Sequence, residues 1–281
     1  MKKINVKQIA IFIVYGILIF LVFLYLRFPS DLFREYFINK ISEEYPGTTV
    51  LIGDVAPRLP LGIVLKKFDF RYQNQSYSSI KADALFFNLN LLELLRGKTS
   101  YKLSATGYGG EIAGNVCCTP YLSEKGTKNA DLKFENIDLQ DFFLLHEVFN
   151  RPLTGKLKLK INYANAGKEW QDGTGSLDFT IQNGTYPLGE NLAVITKLEF
   201  SKAEGAITMK AKSLKITKLQ LTGEKIRLSL KGDIAINAAN FKGSSLNLTG
   251  TLETRTPNSK TTAFTITGTF ANPETKIENK I

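Results

Sequence analysis

From about Leu51 onward, apolar side chains recur at every second position, the period of a strand with one greasy face and one wet face. Leu157, Leu159, Ile161 and Tyr163 alternate with Lys158, Lys160 and Asn162. Leu177, Phe179 and Ile181 alternate with Asp178, Thr180 and Gln182, then meet Asn183-Gly184, a hairpin-turn signature. The rhythm continues through Ile207, Met209 and Ala211, then Leu214 with Ile216, Leu219 with Leu221, and Ile226 with Leu228 and Leu230. Ile234 with Ile236, Leu246 with Leu248, and Phe264 with Ile266 complete it, with Lys, Thr, Ser and Asn between. Such alternation predicts an antiparallel sheet. No series of long amphipathic helices separates the strands, which argues against a βαβ architecture.

Two short apolar pieces interrupt the alternation. Asn88 to Leu95 predicts a tight turn or short helix ending near Arg96-Gly97. Asp138 to Phe149 predicts a second short helix with an acidic start, stopped by Pro152. Both suit caps on an open sheet edge or end. The Gly107 to Gly114 segment and Gly173 to Gly175 read as turns, bulges or loops, and Thr254 to Thr262 as a long polar turn. Neither glycine-rich piece has the spacing of a phosphate-binding loop.

The N-terminus has a different period. Gln8 to Leu26 carries no charge, and Ile9, Phe12, Tyr15, Ile19, Phe23 and Leu26 belong to a run of almost continuous apolar character. As a helix rising about 1.5 Å per residue it approaches the roughly 30 Å hydrocarbon core of a bilayer. Lys2, Lys3 and Lys7 precede it, whereas Asp31 and Glu35 soon answer Arg27. The positive-inside rule then holds the first residues in the cytoplasm and sends the rest across. A cleaved secretory signal is the competing reading, but the run is longer than usual and closes on Tyr25-Leu26-Arg27-Phe28-Pro29, with no A-x-A-like site. The anchor reading places the chain in an inner membrane as a single-pass protein with its main domain in the periplasm.

Ser30 reads as the N-cap of a further helix, in which Phe33, Tyr36, Phe37, Ile41 and Tyr45 follow at helical spacing. That helix would lie as a collar on the membrane surface or plug the first edge of the sheet. Its polar face is mixed in sign, which favours the plug. The divisions expected are therefore a stub and anchor over 1–29, a short amphipathic helix and connection over 30–50, one elongated β domain over 51–272, and a polar tail over 273–281 that frays.

Composition narrows the chemistry. The 281 residues include one His, His146, and two adjacent cysteines, Cys117 and Cys118. A His-rich metal centre, a zinc ribbon and a disulfide framework are excluded on those counts. His146 has no second His at ligand spacing and reads as structural. Cys117 and Cys118 in a strand point to opposite faces and read as structural thiols rather than a redox pair. No nucleophile stands with its base and no carboxylates pair in a recognisable frame, so no enzyme, cofactor or metal is expected. Net charge is +10, and between Arg151 and Lys231 there are 14 Lys or Arg against 7 Asp or Glu. Many of these occupy the alternating polar positions, as on an ordinary solvated sheet. Beyond that, the charge favours lipid headgroups or an acidic partner, and no aromatic-basic motif for nucleic acid appears.

The decisive feature is collective. In a closed sandwich or barrel, Leu157, Leu159, Ile161, Leu177, Phe179 and Ile181 are core. In a sheet that curls without closing, the same residues line an apolar groove able to hold acyl chains of phospholipid. Periodicity is the same in both cases.

Several stretches carry a family resemblance. After the basic N-terminus and single anchor come LNLLELLRGKTSYKLSATGYGGEIAG from Leu89 and FENIDLQDFFLLHEVFNRPLTGKLKLKINY from Phe134. GTGSLDFTIQNGTY from Gly173 and ITGTFANPETKI from Ile266 follow. In this order they resemble the AsmA-like general secretion pathway protein N family of type II secretion systems. The phrase ending in Gly155 before a strand, and Gly268 to Pro273, are shared with the wider AsmA-like group. The resemblance implies a curved β domain, an open groove or half-barrel, facing the periplasm. It also implies a non-enzymatic accessory role beside other secretion subunits, with lipid binding or transfer in an apolar β groove as the alternative.

Overall fold

A computed structural model of the chain describes residues 6–72, 79–118, 128–142, 151–165, 170–187, 197–237, 240–255 and 260–278. Two helices open it, α1 over Val6–Leu26 and α2 over Ser30–Glu44. Strands β1 (Thr48–Leu51), β2 (Asp54–Arg58), β3 (Gly62–Tyr72) and β4 (Ser79–Leu89) follow, then a five-residue helix, α3 (Leu91–Leu95). Next come β5 (Thr99–Gly107), β6 (Gly110–Cys118), β7 (Lys128–Asp138) and β8 (Lys156–Asn165). The remainder is β9 (Thr174–Pro187), β10 (Lys197–Lys210), β11 (Ser213–Thr222), β12 (Ile226–Ala235), β13 (Ser245–Thr254), β14 (Lys260–Gly268) and β15 (Pro273–Glu278).

All fifteen strands belong to one antiparallel sheet, in which β3 to β15 follow chain order as a meander and β1 and β2 share the outer side of β3. The sheet is open. At about 4.8 Å between strands it extends roughly 60 Å across. Among the described residues each strand packs on its hydrogen-bonded neighbours, and the only other substantial packing is α2 on β1 and β2 and α3 on β5. No second layer faces the sheet there. The accessible surface, 19288 Å², compares with about 12,000 Å² for a compact globule of this mass.

What replaces a sandwich core is three clusters strung along the sheet. The first lies under α2, where Phe37, Ile38 and Ile41 pack on Val50, Ile52, Val55, Leu65 and Phe70. This helix is the plug at the first edge that its mixed polar face suggested. Its start differs from expectation: Pro29 flanks the helix, and no side chain caps its first turn. The second cluster joins Ile137, Leu157, Ile181, Phe200 and Leu221 to Leu139 and Leu153 of the β7–β8 connection. The third, Ile216, Ile234, Leu246 and Leu248, lies toward the last strands.

Turns explain why the meander holds register. Tyr108-Gly109, both left-handed at φ 53 and 69, join β5 to β6 in the two-residue hairpin that suits twisted strands. Ala211 and Lys212 do the same between β10 and β11 at φ 44 and 67, so Ala211 sits in a turn and not in the alternation. Asn183-Gly184, in contrast, makes no hairpin: β9 runs through it, and Gly184 pairs with Phe200. A Cβ on Gly184 would come within 2.2 Å of the Phe200 ring, so the glycine clears space for a buried aromatic.

Two other expectations change. Asp138 ends β7 and accepts a hydrogen bond at Oδ1 from the Gln140 amide instead of opening a helix; residues 143–150 lie outside the described residues. The 273–281 stretch does not fray from its start, because Pro273–Glu278 pairs with β14 as the last strand.

Helix α1 spans 21 residues. Among the described residues no helix is long and apolar enough to cross a membrane. The side chains at positions 6, 8, 10 and 24 of α1 are outside the described set, which leaves Ile11–Phe23 as its longest continuous described run.

An open sheet with local lids makes a clear distinction between core and floor. Ile137, fully enclosed, should cost about 3 kcal/mol on truncation to Ala. Half-solvated Leu159 should cost only about 1 kcal/mol for the same change. Urea unfolding followed by circular dichroism checks both, and equal large losses would indicate a layer over the sheet.

Candidate functional site: an apolar ladder on one face of the sheet

The six candidate groove residues face one another as direct cross-strand pairs: Leu157 with Ile181, Leu159 with Phe179, and Ile161 with Leu177. One face therefore carries them all. They do not share one environment. Leu157 and Ile181 are buried beneath the Leu139 and Leu153 lid, whereas Leu159, Ile161, Leu177 and Phe179 are half-buried.

These pairs are part of something longer. Following register from β2, Val55 pairs with Leu65, Leu85, Ala105, Ile112 and Phe134 in succession. The same row then runs through Leu159, Phe179, Gly205, Leu219, Leu230, Gly250, Phe264 and Ile277. Every member across fourteen strands is apolar or glycine. A parallel row joins Ile63, Phe87, Leu103, Gly114, Leu132, Ile161, Leu177, Ile207 and Ile216. At two of the three glycines in these rows a neighbouring aromatic covers the gap: the Phe179 ring lies over Gly205 and the Phe264 ring over Gly250, whereas Gly114 lies against the Asp131 and Leu132 backbone.

Bulges keep these rows on one face. Between Phe134 and Ile137, two residues of β7 oppose one of β8, with Asn136 at φ 57. Between Ile216 and Leu219 an extra residue of β11 does the same, and the Thr217 hydroxyl donates to the Ala206 carbonyl at 2.9 Å. A one-residue offset without a bulge would turn the following apolar residues to the opposite face. The three-residue spacing from Ile216 to Leu219 is the sequence signal for this device.

The opposite face is charged and solvated. Lys156 pairs with Asp138 at 2.8 Å, Lys158 with Glu135 at 3.6 Å, and Arg227 with Glu253 at 3.7 Å. Lys202 and Lys218 both reach the Glu204 carboxylate, at 2.6 and 2.5 Å. Hydrogen bonds from the two ammonium groups hold that carboxyl down at about 2. Asp138 is likewise lowered, by the Lys156 hydrogen bond above all. Near the lid, burial raises the Tyr108 phenol. Its hydroxyl accepts from the Lys81 amide at 2.7 Å, and its ring meets Phe142 edge-on at 5.1 Å.

No group of three His, Cys, Asp or Glu able to hold a metal occurs among the described residues. Cys117 is a half-buried free thiol. The side chain of Cys118, and His146 altogether, lie outside the described residues.

The described ladder also reaches the first helix. A pocket of about 320 Å³ is bounded by Leu21 and Tyr25 of α1, Phe33 of α2, the β2–β3 turn, and Ile63, Phe87 and Tyr101 of the sheet. Sequence reading missed it, because nothing in the alternation relates α1 to β3.

Comparison with protein families, curated proteins and solved structures finds no match to this chain.

The Glu204 triad yields a test of the charged face. The carboxyl is lowered from 4.5, so its contribution to stability is present above the ordinary value and is lost as pH falls toward about 2. Carboxyl-detected NMR titration of Lys218→Ala should show the Glu204 midpoint rising back toward 4.5. A midpoint unchanged by that substitution would mean that Lys218 does not hold it.

Proposed function

We propose that this protein is a membrane-tethered, non-enzymatic binder of lipid acyl chains, which it holds along the apolar face of the open sheet. The observation carrying this reading is the fourteen-strand apolar row with no opposing layer among the described residues. Each methylene withdrawn from water onto such a floor is worth about 0.8 kcal/mol. A bilayer offers the same gain. The trough therefore competes with the membrane on nearly even terms, which favours exchange over tight capture.

Tethering is read from α1. From Ile11 to Phe20 every residue is exposed, which takes in the whole circumference, with Phe12 at 73% and, further on, Phe23 at 62%. A helix greasy all round needs an apolar surrounding, and 21 residues give it a length of about 31 Å. With Lys2, Lys3 and Lys7 ahead of it, the N-terminus is cytoplasmic and the sheet periplasmic. Protease added to spheroplasts should remove the sheet and leave a protected N-terminal fragment; full resistance in intact spheroplasts would refute that orientation.

A second reading, an accessory subunit of a type II secretion system, draws on the resemblance to the general secretion pathway protein N family. It is also favoured by β15, which ends the sheet and whose outer edge pairs with no other described strand, so that it could accept a partner strand. Deleting the gene should then impair export of type II substrates, and unaltered export would remove this reading.

For the lipid reading, native mass spectrometry of protein extracted from membranes should show bound phospholipid. Leu159→Asp and Phe179→Asp should lose it while keeping the strand signal in circular dichroism. Lipid-free wild-type protein, or unfolding by either substitution, would favour a closed core.

A further inference from the structure

We propose that the pocket between α1, the β2–β3 turn and the start of β5 is the mouth through which an acyl chain of a bilayer phospholipid passes between membrane and sheet. This rests on the acyl-chain reading above and adds where, and on which residues, the chain is exchanged.

Three observations converge on that end of the molecule. First, the pocket is built from two kinds of wall. Leu21 and Tyr25 come from the end of the apolar helix, while Ile63 and Phe87 are the first two members of the row that continues to Ile161 and Leu177. A chain seated there touches membrane helix and sheet floor at once. Phe28 stacks on Phe33 at 4.7 Å and closes the side toward α2. Its volume of about 320 Å³ lies at the small end of ligand sites, fitting a single alkyl segment better than a whole lipid.

Second, the end of the sheet that holds the pocket is apolar where water would be expected. The β2–β3 turn and α3 stand at the same end of the sheet, since the Leu89 amide donates to the Leu61 carbonyl and Leu89 pairs with Tyr101. Leu59 is 64% exposed, Leu92 69% and Leu95 85%. Asn90 caps α3 by accepting from the Leu92 and Glu93 amides, which fixes the helix with two of its leucines outward. An isolated exposed leucine means little; Leu59 in the pocket wall, with Leu92 and Leu95 at the same end of the sheet, marks a surface suited to an apolar phase.

Third, cations accompany the leucines. Arg58 borders the pocket and stacks 4.4 Å over the Phe86 ring, and Arg96 and Lys98 follow α3 directly. Exposed leucines flanked by Arg and Lys are suited to the interface of an anionic bilayer, with the apolar groups below the headgroups and the cations among them. That seating would open the pocket toward the acyl region.

The test uses the full chain in vesicles of phosphatidylcholine and phosphatidylglycerol containing a phospholipid with a diazirine in its acyl chain. Illumination and peptide mass spectrometry then map adducts. In the wild type, adducts should fall on the Leu61–Ile63 and Tyr101 peptides and on the floor around Leu159 and Phe179. The double variant Leu61→Asp/Tyr101→Asp should reduce floor adducts at least fivefold and leave those on α1 unchanged. Leu61→Trp/Tyr101→Trp, which fills the mouth without charge, should act in the same direction and controls for misfolding. Floor adducts undiminished in both variants would overturn the mouth. Adducts at the mouth but none on the floor of the wild type would instead overturn the acyl-chain reading on which the proposal rests.

Discussion

Register is the constraint on which this molecule depends. In a sandwich, a strand that slips can still be judged by the layer opposite; here no opposing layer lies among the described residues, and the apolar row exists only while each antiparallel pair keeps its alignment. A slip of one residue sends a strand's apolar set to the charged face and its lysines to the trough. Short turns suppress such slips at Tyr108-Gly109 and Ala211-Lys212, where two left-handed residues leave no slack. The bulges at Asn136 and Thr217 act in the other direction: they absorb an odd residue so that Ile137 and Leu219 return to the proper face.

Stability then comes from local covers. Helix α2 shields the first strands, and Leu139 and Leu153 shield the middle. Between these covers the floor is half-solvated, and its aromatic rings lie across glycines instead of against a facing sheet. That arrangement gives less burial per residue than a globular core, in keeping with the large accessible surface. It also leaves apolar area exposed, and the proposed acyl-chain binding rests on that same area.

Much of the architecture was legible along the chain. Alternation from Leu51 onward gave the strands and the composition of their faces, the Gly107 to Gly114 segment gave a true hairpin, and the mixed-sign helix after Ser30 is the plug. What failed did so for local reasons. Asn183-Gly184 has the chemistry of a turn, but Gly184 is small to admit Phe200, not to reverse the chain. Ala211-Lys212 reverses the chain without any turn residue, because flanking pairs from Lys210 with Ser213 onward dictate its geometry. Residues Pro273–Glu278 are polar enough to look frayed, yet main-chain pairing with β14 does not depend on side-chain character, and Ile277 extends the row. Openness itself leaves no periodic trace, since a strand alternates identically whether its apolar face meets another sheet or a lipid. The pocket at α1 was invisible for a related reason: it joins segments with different periods.

The open floor and the greasy helix answer each other physically. A trough that bound acyl chains far better than a bilayer would fill once and stop; one that bound them far worse would stay empty. On the proposed acyl-chain reading, both environments remove methylenes from water, so their difference is small, and the direction of movement would be set by what lies at the two ends. At the first end α2 closes the sheet and α1 stands beside the pocket. At the last, no described strand pairs with the outer edge of β15, and the row finishes on an exposed Ile277. This asymmetry among the described residues, covered beside the helix and uncovered at the far strand, gives the sheet two unlike ends. A partner that adds a strand to β15 would lengthen the apolar row as well as join the chain, and in that way the secretion reading and the lipid reading can describe the same surface.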